Sequence, residues 1–257
     1  MRRALVLAAL PLLLGACGGG GGHSSSNSST VQLAPVASVK QAAAKTAKAQ
    51  SEHAKLDGAV TLQGQKIEMT GEGDFDNARH AGTMEVHAKV AGVDVQIDEV
   101  LSGKSIYLRS PLLAAAMPAG KTWMRLDLEK LGKSQGVDLS ALLAQNPTQT
   151  FSQLQSSGHV TKIGDETIDG ADTTHYRGRL DLTKLKQFKG ATAQPYDVWI
   201  GKDDGYVHRI ETGYSAGQQS ITTTMDFSNF GKDVTVTVPP RSETFEATAK
   251  SLDQLGG

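Results

Sequence analysis

The sequence predicts an α+β protein built on one antiparallel sheet, and three observations predict it. Segments of helical period and segments of strand period come in groups: one helix, a run of strands, a block of short helices, then strands again. A parallel sheet would alternate them one by one. Thr83–Val90 and Val93–Asp98 alternate polar and apolar residues without a break, the pattern of half-buried strands. Finally, the connections at Ala91-Gly92 and Asp203-Asp204-Gly205 are turn sequences short enough to join only antiparallel neighbours.

The chain opens with Met1-Arg2-Arg3, an apolar run from Ala4 to Leu14, and Gly15-Ala16-Cys17. The run has the length of a signal-peptide core and is too short to cross a bilayer as a helix. Leu14-Gly15-Ala16-Cys17 resembles the lipobox of bacterial lipoproteins. That implies cleavage after Ala16, acylation of Cys17 and a lipid-anchored, extracytoplasmic place at the cell membrane. The expected organisation is a signal peptide over 1–16, a lipidated Cys17 with a tether through 33, and a single domain over 34–257. Gly18–Thr30 is rich in Gly, Ser and Asn and reads as a flexible coil reaching some tens of ångströms at most. Cys17 is the single cysteine, so the folded part can hold neither a disulfide nor a thiolate metal site.

Pro35–Gln50 places Val36, Val39, Ala43 and Ala47 at helical spacing and predicts an amphipathic helix. Strands are expected at Ala59–Gln63, Lys66–Phe75, Thr83–Val90, Val93–Asp98 and Ser105–Arg109. Leucines at helical spacing predict helices over Leu126–Lys133, Leu139–Ala144 and Pro147–Gln155, the last capped by Asn146 and Pro147 and ended by Gly158. Strands return at Val160–Ile163, Thr173–Leu180, Tyr196–Lys202, Val207–Tyr214, Ser220–Phe227 and Val234–Val238. A terminal helix is expected over Ser242–Gln254.

The formal net charge is −1 with no basic block, which argues against nucleic-acid binding. An aromatic content of 5% argues against a stacking platform for sugars or bases. Gly120-Lys121-Thr122 mimics the end of a P-loop, but Ala115 stands where the first glycine would be needed. The seven histidines form no metal-ligand spacing, so neither metal nor cofactor is expected. Glu85 and His87 share one strand face with Lys89, the mark of a solvated surface. Asp74-Phe75-Asp76-Asn77 lacks the glycine and the terminal glutamate of a calcium loop and reads as a turn. No Gly-x-Ser-x-Gly elbow is present. An enzyme is not expected.

What stands out is apolar. Ser110–Pro118 is a connection that carries almost no polar side chain, whereas connections normally do. It reads either as a short buried helix plugging the end of the sheet, or as a lid or lip over an apolar cavity or a surface that touches lipid. The strands also present a long apolar face: Met84, Val86, Val93, Val95, Ile97, Ile106, Leu108, Val198, Ile200, Ile221, Met225 and Phe227. With Leu112, Leu113 and Met117 of the connection, these are the candidate lining residues of an apolar cavity.

Three stretches carry a family pattern: Gly164-Asp165-Glu166-Thr167-Ile168-Asp169-Gly170 through Thr174-His175-Tyr176-Arg177-Gly178, then Tyr196-Asp197-Val198-Trp199-Ile200-Gly201 through Arg209-Ile210, and Trp123-Met124-Arg125-Leu126-Asp127. They resemble the actinobacterial LppX/LprAFG-type lipoproteins over essentially the whole mature chain. The resemblance implies a LolA-like fold, a strongly curved antiparallel half-barrel with helices packed in its mouth. It also implies a non-enzymatic carrier that holds an acylated lipid or glycolipid between sheet and helices. The alternative is an envelope sensor or scaffold that binds a membrane-protein partner. The resemblance brings no ligand-binding motif, because shape and apolar lining would hold the lipid.

Overall fold

The first described element, α1 (Pro35–Thr46), begins on a proline, whose fixed φ suits the first helical turn. Its buried stripe is Val39, Ala42, Ala43 and Thr46, and the alanines let the helix lie close on the strands beneath. Thr46 closes it: its hydroxyl donates to the Ala42 carbonyl at 2.8 Å and accepts from the Val207 backbone N–H at 2.9 Å. Lys45 in the last turn donates to the Asp204 carbonyl and lies 4.6 Å from the Tyr206 ring centroid. The computed structural model describes residues 34–62, 64–90, 92–114, 117–130, 154, 159–180, 194–216, 219–248 and 251.

Among the described residues twelve strands follow. They are β1 (Ser51–Leu62), β2 (Gln65–Asp76), β3 (Ala81–Val90), β4 (Val93–Ser102) and β5 (Ser105–Arg109), then a short helix α2 (Pro111–Ala114) and β6 (Trp123–Asp127). After them come β7 (Val160–Ile168), β8 (Ala171–Leu180), β9 (Gln194–Gly201), β10 (Val207–Ala216), β11 (Gln219–Ser228) and β12 (Thr244–Ala247). All twelve form one sheet in the order β12-β6-β5-β4-β3-β2-β1-β11-β10-β9-β8-β7. The two end strands do not pair with each other, so the sheet stays open. Two meanders are joined by β1 against β11, with Ala54 opposite Phe227 and Val60 opposite Ile221. An open sheet of this width has to twist and curl. Asp169 (φ 48°) and Gly170 (φ 84°) both take left-handed backbone and close the β7–β8 hairpin, a pair of conformations that suits an inverse turn. At the β7 edge a register shift between Lys162 and Gly164 bulges the strand and interrupts the template it would offer to another chain.

The core gathers α1 residues Val39, Ala42 and Ala43 with Ala54, Phe75, Val160, Tyr196, Val198, Ile200, Val207, Ile210 and Phe227 of the strands. Leu154, helical and 1% exposed, joins it from the middle of the chain. α1 lies against β7, β9 and β10.

Four expectations change. The helix expected over Leu126–Lys133 begins as strand: Trp123–Asp127 is β6, paired to β5 and, in parallel, to β12, and only 128–130 are helical before the described residues end. The terminal helix over Ser242–Gln254 is replaced at its start by a 3₁₀ turn (Arg241–Glu243) and β12, because Thr244–Ala247 gains a ladder by pairing with β6. Val234–Val238 alternates like a strand but joins no ladder. Asp74–Asp76 is the end of β2, and the turn starts at Asn77. The segments 1–33, 139–144 and 147–153 and the helix stop at Gly158 lie outside the described residues.

Candidate functional site

Cross-strand registers place every candidate lining residue of the strands on one face. Met84 faces Gly73, which faces Ala54, which faces Phe227. Val86 faces both Gly71 and Ile97, Val95 faces Ala88, and Leu108 faces Glu99. On the other side of the sheet centre, Met225 faces Ile210, which faces Val198. This is the face that carries α1.

The face is packed unevenly. Val198, Ile200 and Phe227 belong to the core beneath α1 and are filled by the protein itself. Val95 is also buried. Met84, Val86, Ile97, Ile106, Leu108 and Met225 are only half-buried, and Val93 and Ile221 are 62% and 45% exposed. Thus the β1–β6 side of the face offers apolar area that the described residues do not cover. In the Ser110–Pro118 connection, Leu113 and Met117 are half-buried and Leu112 is 65% exposed. α2 lies beside β4.

Two acids share that apolar face. Glu52 on β1 faces Phe75, and its side chain is fully buried with no carboxylate hydrogen bond of normal geometry. Burial pushes its carboxyl from 4.5 up to about 7, with Asn77 pulling partly the other way. Glu99 on β4 faces Met84 and Leu108, and burial raises its carboxyl too. Neither was singled out in the sequence. The signal was there: a period of two puts Glu52 in line with Ala54 and Leu56, and Glu99 in line with Ile97 and Leu101.

The opposite face is polar, and residues of two of the three family-pattern stretches, those on β7–β10, meet on it, while Trp123–Asp127 lies apart on β6. His175 stacks on Trp199 with ring centroids 4.2 Å apart. Its Nδ1 lies 2.9 Å from Glu166 and its Nε2 lies 2.6 Å from Asp197. Trp199 Nε1 donates to the other Glu166 oxygen at 2.9 Å. That bond, then the contact with His175, hold the Glu166 carboxyl below its usual range. Arg177 donates to Asp197, and Arg209 pairs with Asp226 through both its Nε and its Nη2. The cluster ties β7, β8, β9, β10 and β11 together across the strands, a structural task. Thr173, beside His175 on the same face of β8, is fully buried and donates its hydroxyl to the Glu166 carbonyl at 2.7 Å. Farther along this face Lys55, Asp57, Thr70, Glu72, Glu85, His87 and Asp226 edge a shallow groove of about 380 Å³. It is charged and includes none of the candidate lining residues. His87 and Glu85 pair within it at 2.9 Å, both side chains solvent-exposed. Among the described residues no group of three or more His, Cys, Asp and Glu could hold a metal ion, and no helix is long and apolar enough to cross a membrane.

Comparison with known proteins now adds to this geometry. An uncharacterized 31.2 kDa protein of Streptomyces griseus is 32% identical over 256 residues, covering 87% of this chain and 82% of its own. A putative lipoprotein of Streptomyces coelicolor is 31% identical over 129 residues, about half of this chain and 42% of its own. Among solved structures, Mycobacterium tuberculosis LppX superposes with a TM-score of 0.51 at 18% identity, covering 79% of this chain and 97% of its own. LprF from Mycobacterium bovis gives 0.52 at 16% identity, covering 80% and 96%. Both likenesses show the fold. The model of the LppX_LprAFG lipoprotein family matches residues 34–236, and the chain belongs to that family.

Proposed function

We propose that the protein is a non-enzymatic lipoprotein that holds the acyl chains of a lipid or glycolipid on the apolar face of its sheet. The supporting observation is the uneven packing of that face. One side is sealed by α1, while Met84, Val86, Ile97, Ile106 and Leu108 on the other side stay half-buried. Apolar area left open in this way binds apolar ligands, at roughly 25 cal/mol for each Å² removed from water. The LppX_LprAFG family assignment supports the same reading.

The sequence around Cys17 supports an acyl anchor on that thiol and an extracytoplasmic place at the cell membrane. The anchor would keep the apolar face within reach of the bilayer from which lipid is taken or to which it is given. Uptake of a fluorescent fatty acid by the purified protein tests the binding. Saturable uptake that grows with chain length, by about fourfold for each added methylene, is the expected result. No uptake at any chain length would overturn the reading.

A further inference from the structure

Glu99 stands in the open half of the apolar face. It lies opposite Met84 on β3 and Leu108 on β5, with Ile97 and Leu101 on the same side of its own strand. All four neighbours are apolar. No described side chain hydrogen-bonds or pairs with its carboxylate, and loss of water is the single cause that raises its carboxyl. Glu52, the other acid of this face, is closed off at 1% exposure, whereas Glu99 is half-buried.

A second polar group without a partner lies beside it. Arg109 turns to the polar face, where it donates to Asp98 at 2.7 Å. Alternation then returns the next residue, Ser110, to the side of Leu108 and Glu99. Because Leu108 is opposite Glu99, Ser110 is its diagonal neighbour, and ladder spacing sets the Cα atoms of such a pair roughly 7–8 Å apart. Ser110 is 4% exposed, and its Oγ has no hydrogen-bond partner. It precedes α2, where a serine hydroxyl ordinarily caps the first turn. Its carbonyl accepts from the Leu113 and Ala114 N–H groups at 3.1 and 3.0 Å, but its hydroxyl caps nothing. Buried polar groups are ordinarily hydrogen-bonded, so a carboxyl and a hydroxyl left open side by side call for a ligand group that bonds to both.

We propose that Glu99 and Ser110 are the polar anchor of the lipid site and select a lipid with an alcohol hydroxyl on or next to its acyl chain. The inference rests on the proposal that this face holds lipid. The count of donors and acceptors favours an alcohol. A hydroxyl can donate to the Glu99 carboxylate and accept from Ser110 Oγ at once. An ammonium brings three donors and would find one carboxylate and one hydroxyl in an apolar frame. A phosphate would meet like charge at Glu99. A bare hydrocarbon chain leaves both groups unpaired, and a site built to bond a hydroxyl rejects the analogue that lacks it.

The test compares neutral lipids of one chain length: methyl palmitate, methyl 3-hydroxypalmitate and 1-palmitoylglycerol. Each displaces a fluorescent fatty acid from the purified protein, and the affinity of each hydroxylated lipid is taken as a ratio to that of methyl palmitate. For at least one of them that ratio should fall at least about tenfold in Glu99→Leu, the loss of a hydrogen bond to a charged group. It should fall less in Ser110→Ala, while methyl palmitate binds both variants as well as before or better. Glu99→Gln keeps an acceptor oxygen and should keep most of the ratio. A fall with the 3-hydroxy ester places the alcohol on the acyl chain, and a fall with 1-palmitoylglycerol places it on the head group; either supports the inference. Ratios unchanged in Glu99→Leu, or an equal loss of every lipid, overturn it. A ratio lost as fully in Glu99→Gln as in Glu99→Leu also overturns it, because the site then reads charge rather than a hydroxyl. Displacement that continues with unchanged ratios removes this inference alone, whereas a folded chain that binds no fluorescent fatty acid removes the lipid-binding reading with it.

Discussion

Replacing Glu52 by glutamine should remove a pH dependence of stability that one buried carboxyl creates. Glu52 is 1% exposed, faces Phe75, and is held at about 7 against an ordinary 4.5, chiefly by loss of water. Below pH 4.5 the folded and unfolded chains both carry its proton. Between 4.5 and 7 only the folded chain keeps it, so unfolding releases a proton and becomes easier as pH rises. Above 7 the folded state bears the whole cost of a buried carboxylate. The span of about 2.5 pH units, at roughly 1.4 kcal/mol each, is worth about 3 kcal/mol. Glutamine keeps the shape and does not titrate. Its own buried amide shifts stability by a constant that pH does not alter. Urea unfolding of both chains across this range reads the difference directly, and groups common to both cancel. The gap between Glu52→Gln and the unsubstituted chain should move in the variant's favour by about 3 kcal/mol from pH 4.5 to above 7. A gap that stays flat with pH would refute the burial argument.

Val86→Trp or Ile97→Trp fills the half-buried face where those two residues oppose each other, and each should cut fatty-acid uptake at least about tenfold while the thermal midpoint stays within a few degrees. Gly178→Ala should destabilise by about 1–3 kcal/mol in urea unfolding, because its new methyl would sit 2.4 Å from the buried Tyr196 ring. Cys17→Ala should move the protein from the membrane fraction to the soluble fraction once the signal segment is removed, with fatty-acid uptake unchanged. Loss of uptake would show that the anchor does more than tether.

Most strands were legible because alternation is a local signal, and β3, β4 and β5 lie close to where their polar and apolar residues predict. The failures share a cause. Met124, Leu126 and Leu128 fit a period of two, while Leu126 with the leucines after it also fits a helix, and pairing with both β5 and β12 decided for strand. Thr244–Ala247 has ordinary helix formers in Glu246 and Ala247, yet the unpaired edge of β6 claims it as a strand. Val234–Val238 alternates as well as any strand does, but no neighbour pairs with it. Such outcomes depend on a distant edge, which no local window contains. The same holds for the β1–β11 junction that makes one sheet of two meanders. The shared face of the lining residues was legible from alternation. Which of them α1 would cover was not, since that depends on where the helix lies, and so Val198, Ile200 and Phe227 are core while Val86 and Ile97 are half-open. The family-pattern residues of β7–β10 meet in the His175–Trp199 cluster, whose partners Glu166, Asp197 and Arg209 come together only once the strands are in register, whereas the Trp123–Asp127 stretch lies apart on β6.

The most direct test of lipid binding is mass spectrometry of an organic extract of the protein purified without detergent, from the Cys17→Ala chain freed of its signal segment. The expected result is a stoichiometric acylated lipid, depleted in the Val86→Trp variant. An extract without lipid from a folded protein, or the same lipid in equal amount from the variant, would contradict the proposal that the open half of the sheet is the lipid site.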